Sequence, residues 1–508
     1  MSRDASGLKG ESQNLLKKAI LMALSTLTSR ILGLFRDMAM AAFFDRAVTD
    51  AWTAAFRLPN FFRRVLGEGT FSLSFIPIFK EIEASKGEVA AQNLINAFYT
   101  LLLISLGTLT CLAVLFTEPL MAMLVSKTFQ SGPSWELCLR MARIMFVFVF
   151  FVSSYSYLMA LLHLIGSFAL PALAPALFNI SMLAFAVMPT TWFSQIGDGL
   201  AWGVAVGGLL QALFVVMVLY KKNYLPRWQK NFWNSETRRV VLAGLTVVLG
   251  LGYLQLSTLL NLYFGSALEE GALSYIYWAD RLLEFPLTLV SVSLGTVMLP
   301  TLSSLKSQRK EFENVWQKNV LANVLVSLPA SLGLYFLAQP IVAVLFQRGL
   351  FTADDTVLTA EVLKIYAISI LVLSLGRLLV PVYSSLQKNR LLVLASLLGL
   401  LVHWMGALTL KSWGLQGLIV ASVSGGFIYT LVLLFGLKGF HVSLFSKQSL
   451  KSLLQIIFAG ILMSIFLSKD WLEVAKLEEW AALAVRVCVG AGIYILLTMN
   501  LFRKIKQS

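Results

Sequence analysis

Charged residues are scarce in this chain of 508 residues. They make up 13% of the sequence, whereas hydrophobic residues make up 58%; soluble domains carry about 25% charged and roughly 45–50% apolar residues. A chain this apolar cannot bury its side chains in a water-soluble core, so lipid must serve as its solvent. Strict two-residue alternation is lacking too, which argues against a membrane β-barrel. Because backbone groups in lipid must be satisfied within each segment, the sequence predicts an all-α integral membrane protein.

Catalytic and metal-binding motifs are lacking as well. The three cysteines lie far apart and match no metal or disulfide framework. His163 and His403 are isolated within apolar segments, and no Walker A loop is present. The sequence therefore predicts neither an enzyme nor a bound cofactor, and it leaves open a coupling ion of unknown identity. We interpret the two histidines as helix-packing residues.

Long apolar segments recur along the whole chain. A hydrocarbon core about 30 Å thick is crossed by roughly 20 residues of helix. We predict about fourteen transmembrane helices, near residues 16–44, 49–83, 91–118, 136–164, 169–189, 197–220, 238–264, 271–302, 314–342, 356–385, 389–410, 414–437, 449–467 and 481–502.

The formal net charge of +15 is distributed unevenly around these spans. With the N-terminus in the cytoplasm, most Lys and Arg residues outside the spans fall in cytoplasmic segments. The opposite loops carry only Arg46, Lys127, Arg140, Arg348, Lys411, Lys469 and Lys476. This bias follows the positive-inside rule, so the basic surplus indicates topology rather than nucleic-acid binding. We predict a multi-pass inner-membrane protein, surrounded by membrane lipids, with both termini cytoplasmic.

A basic connection over residues 221–239 divides the first twelve spans into six and six. The second span reads AFRLPNFF and later GTFSLSFIP, and the eighth reads ADRLLEFP and later GTVMLP, which is a loose internal similarity. We predict two six-helix lobes around a central cavity, at residues 1–222 and 223–440. Residues 441–508 then hold two extra C-terminal helices. The alternative is that apolar helices resemble one another by composition alone.

The first, second and eighth spans each contain several charged residues. A charge at the bilayer centre costs from about 2.5 to well over 10 kcal/mol, so such side chains must face protein or water. The first, second and eighth spans contain Arg30, Arg36, Asp37, Asp50, Arg57, Arg63, Arg64, Glu68, Asp280, Arg281 and Glu284. Arginines outnumber carboxylates in the first two spans, and guanidinium groups bind anions with several oxygens bidentately. We therefore predict a hydrated cavity suited to a diphosphate.

Local spacing refines this prediction and leaves a structural alternative. Arg281 and Glu284 are three residues apart, so they are expected to neutralise each other in part. Gly67 and Gly69 flank Glu68, which favours a bend there. In the alternative, Arg63, Arg64 and Glu68 anchor the cytoplasmic rim, and the carboxylates of the spans only orient arginines.

Several segments resemble the MurJ (MviN) family of lipid II flippases. The similarity runs from about residue 15 to residue 390 and continues more weakly to the end. The segments are TSRILGLFRD (28–37), TDAWTAAFRLPNFFRRVLGEGTFSLSFIPIF (49–79), LPALAPALFNISM (170–182), AWGVAVGGLLQ (201–211), YWADRLLEFP (277–286) and LFQRGLFTADD (345–355).

The resemblance implies membership of the multidrug/oligosaccharidyl-lipid/polysaccharide exporter superfamily. It also implies that the last two spans form a groove for a polyprenyl tail. The family's functional arginines fall on Arg30, Arg36, Arg63 and Arg281. Its acidic and polar cavity positions fall on Asp37, Asp50, Asn60, Glu68, Ser274, Asp280 and Glu284.

The function expected from this resemblance is transfer of the lipid-linked peptidoglycan precursor, lipid II, to the outer leaflet by alternating access. The membrane potential or an ion gradient would drive it. The undecaprenyl-diphosphate-linked muropeptide is the expected substrate, and cell-wall synthesis proteins are possible partners.

Two alternatives stay within the same superfamily: an exporter of another lipid-linked oligosaccharide and a cation-coupled drug antiporter. The excess of arginine argues against the antiporter, which should show an acidic cavity. A membrane glycosyl- or phosphotransferase would need paired acids at the cytoplasmic surface, and the basic loops lack them.

Overall fold

The computed structural model describes residues 24–67, 70–167, 169–250, 252–304, 308–386, 388–438, 447–469 and 478–507. Within these residues all regular secondary structure is helical, which confirms the all-α prediction. Helices are the expected outcome, because each one satisfies its own backbone groups without water. The helices cluster into two compact units: the N-terminal unit, Met1–Leu251, and the C-terminal unit, Gly252–Ser508.

The N-terminal unit contains ten described helices. They are α1 (24–43), α2 (Arg46–Gly67), α3 (Thr70–Lys86), α4 (Glu88–Leu115), α5 (Thr117–Leu124), α6 (Lys127–Gln130), α7 (Ser134–Leu164), α8 (Ala169–Val187), α9 (Asp198–Lys221) and α10 (Ser235–Gly250).

The C-terminal unit contains nine described helices. They are α11 (Gly252–Gly265), α12 (Ala272–Ser304), α13 (Arg309–Phe336), α14 (Ala338–Phe346), α15 (Ala353–Ser385), α16 (Asn389–Thr409), α17 (Gly414–Lys438), α18 (Lys447–Leu467) and α19 (Glu479–Gln507).

Among the described residues, nine helices are long and apolar enough to cross a membrane. They are α4, α7, α9, α13, α15, α16, α17, α18 and α19. The number of fourteen crossings, the cytoplasmic location of both termini and the three-part division at residues 222 and 440 stay predictions. In the structure α18 and α19 pack on α13 and belong to the C-terminal unit.

Each of two predicted spans is covered by two of the described helices, and the residues between the two helices lie outside the described ranges. In the second span, α2 is described to Gly67 and α3 from Thr70, so the bend expected at Glu68 stays a prediction. In the seventh span, α10 is described to Gly250 and α11 from Gly252. The two compact units divide at this same point, and no sequence prediction had placed a boundary there.

Helix α7 forms the centre of the N-terminal unit, packed against α2, α4 and α9. Helix α8 lies against α9 at very short range. A Cβ atom placed at Gly207 of α9 would come within 2.8 Å of the Phe178 ring and 3.2 Å of its Cα. Glycine at this position therefore permits the close approach of α8.

Helix α15 has the corresponding role in the C-terminal unit, where it contacts α12, α13 and α17. Helices α16 and α17 approach each other through Gly399 and Gly425. A Cβ at either glycine would lie 2.8 or 2.6 Å from the carbonyl oxygen of the other. The backbones of these two helices are therefore in direct contact.

Candidate functional site

Arg36 on α1 is buried in the N-terminal unit, with 5% of its surface exposed. Its Nε and Nη2 donate to Asp37 Oδ1 at 2.9 and 2.6 Å, and its Nη1 donates to Asn179 Oδ1 at 2.9 Å. Asp37 is equally buried, at 4%. A buried ion pair is sustained only when further hydrogen bonds satisfy its remaining polar atoms, as Asn179 does here. In this conformation Arg36 is thus bound by the protein itself.

Asn179 on α8 ties this pair to the backbone of α1. Its Nδ2 donates to the carbonyl oxygen of Ser29 at 2.7 Å and lies 3.2 Å from Ser29 Oγ. Gly33 lies directly against the amide, because a Cβ there would be 3.5 Å from Asn179 Nδ2. The sequence prediction missed this residue. The available signal was a carboxamide within an otherwise apolar helix.

The other predicted residues of the N-terminal unit are less deeply placed. Arg30 and Arg63 are half-buried, and Arg63 Nε donates to Asn60 Oδ1 at 2.8 Å. Asp50, near the beginning of α2, is buried at 4% exposure. Glu68 lies outside the described residues. Arg30, Arg63 and Asn60 therefore have part of their surface accessible, which a binding role requires.

In the C-terminal unit, Arg281 on α12 has one acidic neighbour and one aromatic neighbour. Its Nη1 lies 3.6 Å from Glu284 Oε2, and its guanidinium carbon lies 4.8 Å from the centre of the Tyr277 ring. The Arg281 and Glu284 side chains are 24% and 32% exposed. The predicted partial neutralisation of Arg281 by Glu284 is confirmed, and the tyrosine face adds a cation–π contact.

The remaining positions on α12 differ in depth. Asp280 is half-buried, whereas Ser274 is only 2% exposed. The neighbouring Tyr275 donates its hydroxyl to Asp355 Oδ1 at 2.9 Å, which fixes α12 against the beginning of α15. The structure therefore brings Arg36 to Asp37, Arg63 to Asn60 and Arg281 to Glu284. A common cavity that gathers all of these residues stays a prediction.

Among the described residues, no group of three or more His, Cys, Asp or Glu side chains is placed to hold a metal ion. The geometry offers half-buried guanidinium donors on α1, α2 and α12, which suits an anion. The family model described as "Lipid II flippase MurJ" matches residues 39–485 of this chain.

The chain belongs to the MurJ family.

A relative from Bdellovibrio bacteriovorus, named probable lipid II flippase MurJ, is 50% identical over 482 residues, which cover 94% of this chain and 92% of the relative. A second relative, the lipid II flippase MurJ of Burkholderia cenocepacia, is 30% identical over 496 residues, with 95% and 96% covered. These matches confirm the resemblance to the MurJ family that the sequence motifs predicted.

Solved structures agree on the fold. A MurJ lipid II flippase in an inward closed conformation matches with a TM-score of 0.80 and 22% identity, covering 96% of this chain and 99% of that one. An inward-facing multidrug resistance transporter of the MATE family and MOP superfamily matches with a TM-score of 0.68 and 16% identity, covering 83% and 97%. The MurJ-family chain is therefore a multi-pass membrane protein with the fold shared by these transporters.

Proposed function

We propose that this chain carries lipid II from the cytoplasmic to the outer leaflet of the inner membrane by alternating access. One observation carries the proposal beyond family membership: half-buried arginines lie on α1, α2 and α12, within the predicted membrane spans. Arg30, Arg63 and Arg281 each keep part of their surface accessible. Arginine placed there is costly in lipid, and it is suited to a diphosphate because its planar fork binds two oxygens at once.

The arginines divide into two roles. Arg30, Arg63 and Arg281 bind the diphosphate and the adjoining sugar of the head group. Arg36 holds α1 against α8 through Asp37 and Asn179, and it contacts the substrate only after that pair opens. This assignment follows from burial, because a 5% exposed guanidinium with three short hydrogen bonds has no surface left for a ligand.

The polyprenyl tail stays in the bilayer along α18 and α19. One side of α18 packs on α13, while its other side is an apolar surface open to lipid. The exposed residues on that side are Leu450, Leu454, Ile457, Phe458, Ile461 and Ile465. Such a surface is compatible with an isoprenoid chain and needs no polar contact, because lipid tails and polyprenyl chains are equally apolar.

The membrane potential supplies the driving force in this proposal. Moving one elementary charge across the membrane is worth about 2.3 kcal/mol per 100 mV. A head group with roughly two negative charges, leaving a negative cytoplasm, gains on the order of 5 kcal/mol at that potential. Nucleotide hydrolysis is not needed at this magnitude.

The test uses cells in which this chain is the sole lipid II flippase. An externally added enzyme that cleaves the lipid II head group reports how much precursor has reached the outer leaflet. Losing one charge-assisted bidentate contact costs about 1.5–3 kcal/mol, so Arg30→Ala and Arg63→Ala should each lower the flipping rate tenfold or more. Arg238→Ala is the matched control, because Arg238 is exposed at the beginning of α10 and should leave the rate unchanged. Full activity of both span variants would refute the binding site.

Collapsing the membrane potential with an ionophore tests the driving force separately. Accessible lipid II should fall in the parent chain within the response time of the assay. A rate that does not respond to the potential would refute this energy source and leave the arginine site standing.

A further inference from the structure

A second group of buried polar residues lies in the C-terminal unit, on helices other than α12. We call it the histidine cluster. It consists of Ser257 and Asn261 on α11, His403 on α16, Ser422 on α17 and Tyr366 on α15. His403 is fully buried, at 0% exposure, and each of the others is below 10%.

These side chains form a continuous hydrogen-bonded chain across four helices. His403 Nδ1 lies 3.1 Å from Ser257 Oγ, and Ser257 Oγ lies 3.4 Å from Ser422 Oγ. Asn261 Nδ2 donates to Ser422 Oγ at 3.3 Å and to the hydroxyl of Tyr366 at 3.4 Å. Burying such a polar network costs free energy unless its members hydrogen-bond to one another. A buried polar atom of the network without a hydrogen-bond partner therefore calls for an explanation.

Two atoms of the histidine cluster are left over. His403 Nε2 and Asn261 Oδ1 are buried, and neither has a hydrogen-bond partner among the described residues. A buried N–H without a partner is rarer than a buried acceptor without one. This favours the neutral tautomer in which Nδ1–H donates to Ser257 Oγ and Nε2 carries the lone pair. The cluster therefore presents a basic nitrogen with nothing bound to it.

Among the described residues, no acidic side chain is paired with His403. α11 has no Asp, Glu, Lys or Arg, and the titratable groups beside the cluster are the phenols of Tyr253 and Tyr366. The charged residues on the helices packed against α16, and at its own ends, are Arg390, Lys411, Lys438, Asp354, Asp355, Glu361, Lys364 and Arg377.

Four of these charged residues are accounted for elsewhere. Arg390 is 13 residues from His403, or ~20 Å along α16 at 1.5 Å per residue, and Lys438 is at the end of α17. On α15, Glu361 accepts from Gln416 at an exposed position, and Asp355 accepts from Thr352. A metal cation would find no charge compensation in the cluster, because hard cations favour carboxylate oxygens. A proton needs only the imidazole lone pair.

We propose that the histidine cluster is a proton-binding site, and that His403 Nε2 takes up a proton from water and returns it to water during each transport cycle. The inference rests on the proposed function, since it names a second ion that the flippase uses. Histidine is the side chain whose charge changes near physiological pH, and a titratable group inside a membrane span is a functional candidate.

Protonation changes the contacts between helices. Nε2 becomes an N–H donor in the same cluster as Asn261 Oδ1, which is an acceptor without a partner. The bond from Nδ1–H to Ser257 Oγ becomes charge-assisted and therefore stronger. Both changes draw α16 toward α11. The site is tightly confined, since a Cβ at Gly425 of α17 would lie 2.9 Å from His403 Cβ. Water therefore reaches Nε2 only when the helices around His403 move apart. Proton uptake is in this way coupled to the conformational cycle.

The first experiment detects the proton directly and does not depend on transport. The chain has three histidines, His163, His403 and His441, so ¹⁵N-histidine labelling in lipid nanodiscs gives few ring signals, assigned by single His→Gln variants. The His403 Nε2 signal should move from the unprotonated toward the protonated position between pH 8 and pH 4. Ser257→Ala should move the midpoint to lower pH, because it removes the acceptor that favours the imidazolium. An Nε2 that is already protonated at pH 8, or that shows no protonation at pH 4, would overturn the proposal.

The second experiment measures flipping in proteoliposomes with the electrical potential clamped at zero and a pH gradient imposed. One pH unit corresponds to a tenfold bias at most, so the rate ratio with and without the gradient should change by up to tenfold in the parent. His403→Gln should bring the ratio to one, while the control His163→Gln keeps both the ratio and the basal rate. If His403→Gln does not fold, Ser257→Ala replaces it, and the gradient response should then shift to lower pH.

The outcomes separate the two proposals. An unchanged ratio in His403→Gln, or a response to a Na⁺ gradient with none to pH, overturns the proton site. A parent chain that fails to flip lipid II under every gradient tested refutes the proposed function, and the ring titration then still decides the proton site alone.

Discussion

The two units each hold an arginine beside a carboxylate, but in different environments. In the N-terminal unit, the Arg36 and Asp37 side chains are 6% and 5% exposed and their atoms meet at 2.6 Å. In the C-terminal unit, the Arg281 and Glu284 side chains are 24% and 32% exposed and lie 3.6 Å apart. The arginine–carboxylate pair is therefore buried and closely spaced in the N-terminal unit, and it is partly exposed and more widely spaced in the C-terminal unit.

This difference indicates a division of work between the two units. A buried pair cannot exchange its partner without leaving a charge in an apolar interior, so Arg36 and Asp37 hold α1 in place. A partly exposed pair loses little when one partner is replaced, because water compensates the change. Arg281 is therefore the arginine better placed to exchange its carboxylate for a phosphate.

Removing the buried carboxylate should have the largest effect. Asp37→Ala leaves the Arg36 guanidinium buried without its counter-charge, which costs about 3–5 kcal/mol. We expect a marked fall in Tm in detergent, measured by tryptophan fluorescence, or loss of folded protein. Glu284→Ala is the matched change in the other unit and should cost less than about 1 kcal/mol. Equal Tm shifts for the two variants would remove the distinction between the pairs.

Asn179→Ala sharpens the same comparison through a neutral residue. It removes the acceptor of Arg36 Nη1 and the donor to the Ser29 carbonyl, which should cost about 1–3 kcal/mol. Ser181→Ala on the same helix is the control, because it removes one hydrogen bond, to the carbonyl of Gly203. Tm should fall further for Asn179→Ala than for Ser181→Ala, and the reverse order would show that Asn179 does not support the buried pair.

Arg281→Lys tests whether the exposed pair acts on substrate. The charge is retained, but the planar fork and its stacking on Tyr277 are lost. We expect the flipping rate to fall about tenfold, which is 1.4 kcal/mol, with Tm unchanged. A fall in Tm without a fall in rate would instead assign Arg281 a structural role.

The smallest effect is expected at a surface pair outside the spans. Lys86 Nζ donates to Glu236 Oε1 at 2.8 Å, and this hydrogen bond lowers the pKa of the Glu236 carboxyl. Because the folded pKa lies below the unfolded one, the stabilisation is present above the unfolded pKa and is lost as pH falls through the folded pKa. Glu236→Gln should thus lower Tm slightly at pH 7, by under about 1 kcal/mol in free energy, and leave it unchanged in acid below the carboxylate range. A Tm difference that persists in acid would contradict this.

The sequence predicted the helical fold from its apolar composition, and it predicted the pairing of Arg281 with Glu284 from their spacing. Charges in apolar helices pointed to the arginines for a reason that is equally local: the cost of burying them. The boundary between the two compact units, which follows Leu251, was missed, although glycines at 250 and 252 flank Leu251 in the sequence.

The spacing of residues along the sequence could not predict contacts between helices that are far apart in the chain. Asn179 is 143 residues from Arg36, and no periodicity links the two. His403 was interpreted as a packing residue because its neighbours in sequence are apolar. Its polar partner Ser257 lies 146 residues earlier on another helix. Packing brings such residues together, and a single sequence carries no record of it.

The close approach at Gly207 has a consequence for the buried pair. A methyl group there would press on Phe178, the residue next to Asn179 in α8. Any displacement of that turn of α8 also moves the side-chain amide of Asn179, which is hydrogen-bonded to Arg36. The size of the side chain at position 207 on α9 can therefore alter the strength of the hydrogen bonds that hold Arg36 on α1. Substitutions at this position would strengthen or weaken those bonds without changing any ionisable group.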